Sequence, residues 1–202
     1  MKSTVVTVNS DGLGTREALA ITETLGKDRK LENKSVLHLR LLAEELLGML
    51  RSIAGKVEAT YWIESEEKSF ELHMRSEIKL TAEMREQFIS AASSGKNDAA
   101  KGFMGKIKVL ISNILVSAKE VIPYAMINTV SAYPAGGNAG ENISEWSMNN
   151  YKEEVRKHIG DSSDAVEAWD ELEKSIVANI ADDVKVKIIG NNVEIIVYKV
   201  FG

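Results

Sequence analysis

An α+β sandwich, a mixed or antiparallel sheet with helices on one face, is the fold class this sequence predicts. Three observations point to it. Helical and extended patterns do not alternate one for one, which disfavours a doubly wound parallel sheet. Residues 69–78 (SFELHMRSEI) set Phe70, Leu72, Met74 and Ser76 on one side and Glu71, His73, Arg75 and Glu77 on the other, the pattern of an antiparallel strand with one buried face. The chain also closes on a hairpin, residues 184–189 and 193–201 flanking Gly190-Asn191-Asn192, residues that tolerate positive φ.

The elements follow in order. Residues 4–8 (TVVTV) are short and β-branched, hence a strand. NSDGLG is turn chemistry. Thr15 is the expected cap of a helix reaching about Leu25, with Gly26 as its stop. Ser35 is the expected cap of the cleanest helical pattern, residues 35–53, ended by Ala54 and Gly55. Leu39, Leu42, Leu46, Met49, Leu50 and Ile53 share one of its faces. Two strands, 58–64 and 69–78, are joined by the loop 65–68. Thr81 opens a helix through TAEMREQFISAA, and a longer helical pattern runs over about 98–121, stopped by Pro123. Residues 124–144, with Pro134, Gly136, Gly137 and Gly140, predict a loop. A polar helix is expected over 145–159, ended by Gly160. Residues 161–163 cap a last helix with Val166, Trp169, Leu172, Ile176 and Ile180 on its inner face.

Two hundred and two residues fit a single domain, 1–202, with a helical and loop insertion at about 98–160. The absence of cysteine excludes disulfides, thiolate metal sites and a cysteine nucleophile. His38, His73 and His158 show no ligand spacing, so no metal site is expected. A net charge of −5 argues against nucleic acid as a partner. No apolar run approaches the ~20 residues that span a bilayer, and the N-terminal stretch lacks a signal-peptide core; no membrane association and a cytoplasmic location are the expectation.

Three stretches resemble the GHKL ATPases, the ATP-binding domains of histidine kinases, anti-sigma serine kinases, gyrase and mismatch-repair proteins. LHLRLLAEELLGML is similar to the family's first signature helix, YWIESEEKSFELHMRSEI to the strand pair that follows it, and LEKSIVANIADDVKVKIIGNNVEIIVYKVF to its closing helix and hairpin. The resemblance implies ATP with magnesium as cofactor. It casts the acid of the signature helix, Glu45 or its neighbour Glu44, as the catalytic residue, with Glu45 the better placed as general base. It sets Gly102, Gly105 and Lys106 where a glycine-rich lid would hold nucleotide. Two departures stand out. The magnesium-binding Asn one turn after the acid is replaced by Gly48 or Met49, and the Asp-x-Gly-x-Gly turn is missing. The implied function is a regulatory protein of anti-sigma or histidine-kinase-like type, impaired in hydrolysis and acting on a protein partner. An active ATPase or kinase of the same fold, and a non-catalytic oligomerising module able to homodimerise, are the alternatives.

Each sharp reading has a plain one beside it. Glu45 lies at the border of the apolar helix face and Glu44 points away from it, so both also suit a solvated flank. The stretch PAGGNAG (134–140), with Asn138 and Asn142, offers backbone N–H groups to a phosphate but lacks the Lys-Ser/Thr of a P-loop, and a connector is the simpler account. Asp182 and Asp183 fit a helix-to-strand turn better than a metal site. Trp62, Trp146 and Trp169 fit core anchors better than base-stacking platforms.

Overall fold

The computed structural model describes residues 1–52, 57–78, 107, 143–161 and 163–202. Among them are six strands and five helices: β1 (Val6–Asn9), α1 (Thr15–Asp28), α2 (Asn33–Ser52), β2 (Glu58–Glu66), β3 (Ser69–Glu77), β4 (Ile143–Ser147), α3 (Met148–His158), α4 (Ser163–Lys174), α5 (Ile176–Ile180), β5 (Asp183–Ile189) and β6 (Asn192–Val200). The strands form one sheet in the order β1-β2-β3-β6-β5-β4, and every pairing is antiparallel. The α+β sandwich is therefore present, with an antiparallel sheet.

Register explains which side is covered. Val6, Tyr61, Met74, Ile195, Val186 and Trp146 lie in one row across the sheet, and Ile63, Leu72, Val197 and Val184 in another. All but the partly buried Trp146 are buried, and all pack into one cluster with Ala18 and Leu25 of α1, Leu39, Leu42, Leu46 and Leu50 of α2 and Val177 of α5. Ile107 is buried in the same cluster. A satellite cluster of Val155, Ala165 and Ala168 joins α3 to α4.

Several boundaries differ from expectation, each for a local reason. Thr15 does not cap α1. Gly14 does, at φ 72°, because the strand-to-helix turn brings it against the Thr7 carbonyl, where a side chain would collide. The Asn9 side chain closes this turn by accepting from the N–H groups of Asp11 (3.0 Å) and Leu13 (2.9 Å). Gly26 does not stop the helix; it lies inside, buried. The stop is a Schellman turn in which Lys30 takes φ 56°, its N–H bonding Lys27 O (2.9 Å) while Leu31 N–H bonds Gly26 O (3.1 Å). Nor does Ser35 cap α2. The Val36 N–H already reaches Glu32 O (3.0 Å), so the helix begins two residues earlier.

The β2–β3 loop is shorter than four residues. Glu66 pairs with Ser69, leaving Glu67 and Lys68 as the loop, with Glu67 at φ 50°. The stretch expected as helix from 145 starts instead as strand, because Trp146 pairs with Val186 on β5. The helix begins only after Ser147, whose hydroxyl caps Asn150 N–H. The last helix is two. Ser175 leaves helical geometry (ψ 124°) and caps Ala178 N–H at 3.2 Å. The inner face of α4 is accordingly Ala165, Ala168 and Leu172, and Val166 and Ile176 are exposed. The hairpin at Gly190 (φ 60°) is present with a turn one residue shorter than expected, because Ile189 pairs with Asn192 and leaves Gly190 and Asn191 between the strands. Residues 53–56, including Ala54 and Gly55, lie outside the described residues. So do the helix opened by Thr81, nearly all of the helix expected at 98–121 and the loop at 124–142.

Candidate functional site

Two places hold the polar groups of interest: the outer flank of α2, and the sheet face opposite the helices. On α2, the buried face takes Leu39, Leu42, Ala43, Leu46, Leu47, Met49 and Leu50. Glu44 and Glu45 are left half-buried at its margins. Glu44 is engaged: Arg40 donates through Nε to its Oε1 at 2.8 Å, one helical turn away. The same guanidinium bonds Glu23 on α1, so Arg40 ties the two helices together. Glu23 first, and Glu44 second, hold the guanidinium above its ordinary value. Glu45 has no ion pair or hydrogen bond with a described residue. One turn on, Met49 is buried, whereas the space beside Gly48 is open. A thioether in the core and a residue with no side chain do not make the oxygen donor set that magnesium requires. Gly102, Gly105 and Lys106 lie outside the described residues, as do Asn138 and Asn142.

The acids after the last helix serve structure. Asp182 accepts from Lys199 Nζ (3.0 Å) and from the backbone N–H of Val200 (2.6 Å), holding the start of β5 against β6. Asp183 accepts from Asn149 N–H (3.1 Å) and the Ser147 hydroxyl, so a carboxylate from β5 sits at the N-terminus of α3. Next to it Lys152 donates to Ala178 O at 2.8 Å. Burial draws this amine below its ordinary value, and Asp183 opposes that shift. No described group of three or more acids or histidines could hold a metal ion. No described helix is long and apolar enough to cross a membrane.

On the opposite sheet face, Trp62, His73 and Ile196 are successive neighbours across β2, β3 and β6, and all three are buried at 7%, 7% and 4% exposure. The rings of Trp62 and His73 stack with centroids 4.7 Å apart and planes 7° from parallel. Lys2 Nζ and the Arg75 guanidinium lie 4.6 and 5.5 Å from the indole centroid. Trp62 Nε1 donates to Glu64 Oε1 (3.0 Å), and Lys2, then Trp62, hold that carboxyl below its ordinary value. Glu194 meets His73 Nδ1 at 3.3 Å and accepts from Arg75 at 3.0 Å. Burial pushes the Glu194 carboxyl up, but Arg75 and His73 outweigh burial and leave it below the ordinary range.

Strand alternation placed His73 on this face. It gave no sign of the burial or of the partner, because Glu194 is 121 positions away. Trp62 is an anchor, as expected, on the second face rather than in the helix-covered core. Trp146 and Trp169 are partly buried anchors packed against the main cluster. No family model matches the chain, no curated protein matches it in sequence, and no solved structure matches it.

Proposed function

We propose that the chain is a cytoplasmic regulatory protein built on a GHKL-type ATP-binding fold, impaired in hydrolysis, that acts by binding a protein partner. The observation that carries this reading is the state of the acid pair on α2. Glu44 is committed to Arg40, and the turn after Glu45 offers only Gly48 and the buried Met49. Among the described residues, the helix thus presents one acid without an ion pair and no side chain able to hold magnesium one turn on. General-base catalysis of phosphoryl transfer needs both the positioned base and the metal that neutralises developing phosphate charge. A helix that keeps the first without the second suits a protein that has kept the fold for recognition.

Thermal unfolding with and without millimolar ATP and magnesium, alongside phosphate release, tests this. Native-state binding stabilises by about 2.7 kcal/mol at a ligand concentration 100 times Kd. The expected result is a higher Tm with nucleotide and no phosphate release above background. No shift at millimolar nucleotide refutes the nucleotide fold. Phosphate release that disappears in Glu45→Gln refutes the impairment.

A further inference from the structure

The sheet face opposite the helices holds an imidazole with an acceptor at each nitrogen. Glu194 Oε1 lies 3.3 Å from His73 Nδ1, and Glu71 Oε2 lies 3.5 Å from Nε2. Nε2 is buried and makes no hydrogen bond. Ionised carboxylates only accept, and a neutral imidazole has one N–H to give. The neutral ring therefore serves one carboxylate and turns a lone pair towards the other. The imidazolium can serve both.

We propose that His73, stacked on Trp62 and bracketed by Glu71 and Glu194, is a pH-sensitive fastener: the imidazolium holds the Glu71 carboxylate of its own strand as well as Glu194 on β6, and its deprotonation releases Glu71 and loosens the stack on Trp62 of β2. The described groups around the ring are Trp62 and Glu64 on β2, Glu71 and Arg75 on β3, and Glu194 on β6. Lys2 lies across the indole, and Lys185 lies beyond Ile196 in the same row. The cations oppose a second positive charge, but each already faces another group. Arg75 is paired with Glu194 at 3.0 Å, Lys2 with Glu64 at 3.1 Å, and Lys185 lies over the Tyr198 ring at 5.3 Å. Two carboxylates lie within 3.5 Å of the ring nitrogens. The parallel indole face also attracts the cation. Histidine is the side chain whose charge changes near neutrality.

The test reads Trp62 emission and the His73 ring nitrogens over pH 5–8, in full-length protein carrying Trp146→Phe and Trp169→Phe. The expected result is one emission step with the same midpoint as the His73 nitrogen signals, lost in His73→Gln. In Glu71→Gln the step should shrink, because the second negative charge is gone. A step that survives His73→Gln overturns the proposal, as does a His73 titration that leaves Trp62 emission unchanged. Should the substituted chains not fold, long-range ¹H–¹⁵N spectra of the unsubstituted protein decide. A Trp62 indole N–H signal that moves with the His73 nitrogens supports the fastener, and one that does not move refutes it.

Discussion

Thr22 and Tyr61 form a hydroxyl pair with no exposure to solvent, at the point where α1 crosses β2. The Thr22 hydroxyl donates its single proton to Ala18 O at 2.7 Å, so the contact of 2.8 Å between the two hydroxyls is one in which Tyr61 donates. The two single substitutions therefore differ. Tyr61→Phe removes a donor and leaves Thr22 still bonded to its own helix, at a cost of about 1 kcal/mol. Thr22→Val keeps the shape but strands the Tyr61 O–H in the core without an acceptor, a cost of about 1–3 kcal/mol. In the double variant the stranded donor is gone and two apolar groups of similar shape meet. Its destabilisation should fall short of the sum of the singles by about 1–2 kcal/mol. Urea unfolding of the four proteins, followed by far-UV circular dichroism, gives the coupling directly, provided the slopes agree. Additivity within about 0.5 kcal/mol would refute the assigned hydrogen bond.

Gly14→Ala puts a Cβ against Thr7 O in a left-handed conformation, and should cost more than about 2 kcal/mol, read as a lower urea midpoint. Lys30→Gly acts in the opposite direction: relief of the left-handed penalty of about 1–2 kcal/mol exceeds the added chain entropy of about 0.5–1 kcal/mol, for a net gain of about 0.5–1 kcal/mol by the same assay. Alkali should destabilise the protein. Burial pushes the Tyr61 phenol well above its ordinary value. Burial and then the carboxylates of Glu71, Glu145, Asp183 and Glu194 push Tyr198 up to about 12. A phenol with a raised folded value contributes stability that is complete below the unfolded value of about 10 and is lost as pH rises through the folded one. Stability should therefore fall above about pH 10, and less steeply in Tyr61→Phe. Absorbance at 295 nm should show both phenols ionising earlier in urea than in the native chain.

The sequence disclosed what repeats and concealed what is paired at a distance. Alternation in β3 was readable because one face of the sheet is covered, so Phe70, Leu72 and Met74 had to be apolar. Gly190 was readable because a two-residue hairpin loop needs positive φ there. Helix ends were not. Gly26 and Ser35 are good local signals, yet the turn at Lys30 and the bond from Val36 to Glu32 set the real ends, and a lysine in left-handed geometry gives no signal in one sequence. The strand at Trp146 was hidden for another reason: its polar neighbours suit a helix, and only pairing with Val186 decides between the two. The same divide runs through the candidate sites. Helical phase alone set Glu44 off the apolar face, and its bond to Arg40 is a local one, four residues away. His73 looked like one more outward polar residue, since its brackets come from two strands and Trp62 stacks on it from a third. A group whose environment is assembled by register across three strands can be recognised only once the sheet is built, and for that reason it was the residue the sequence described least well.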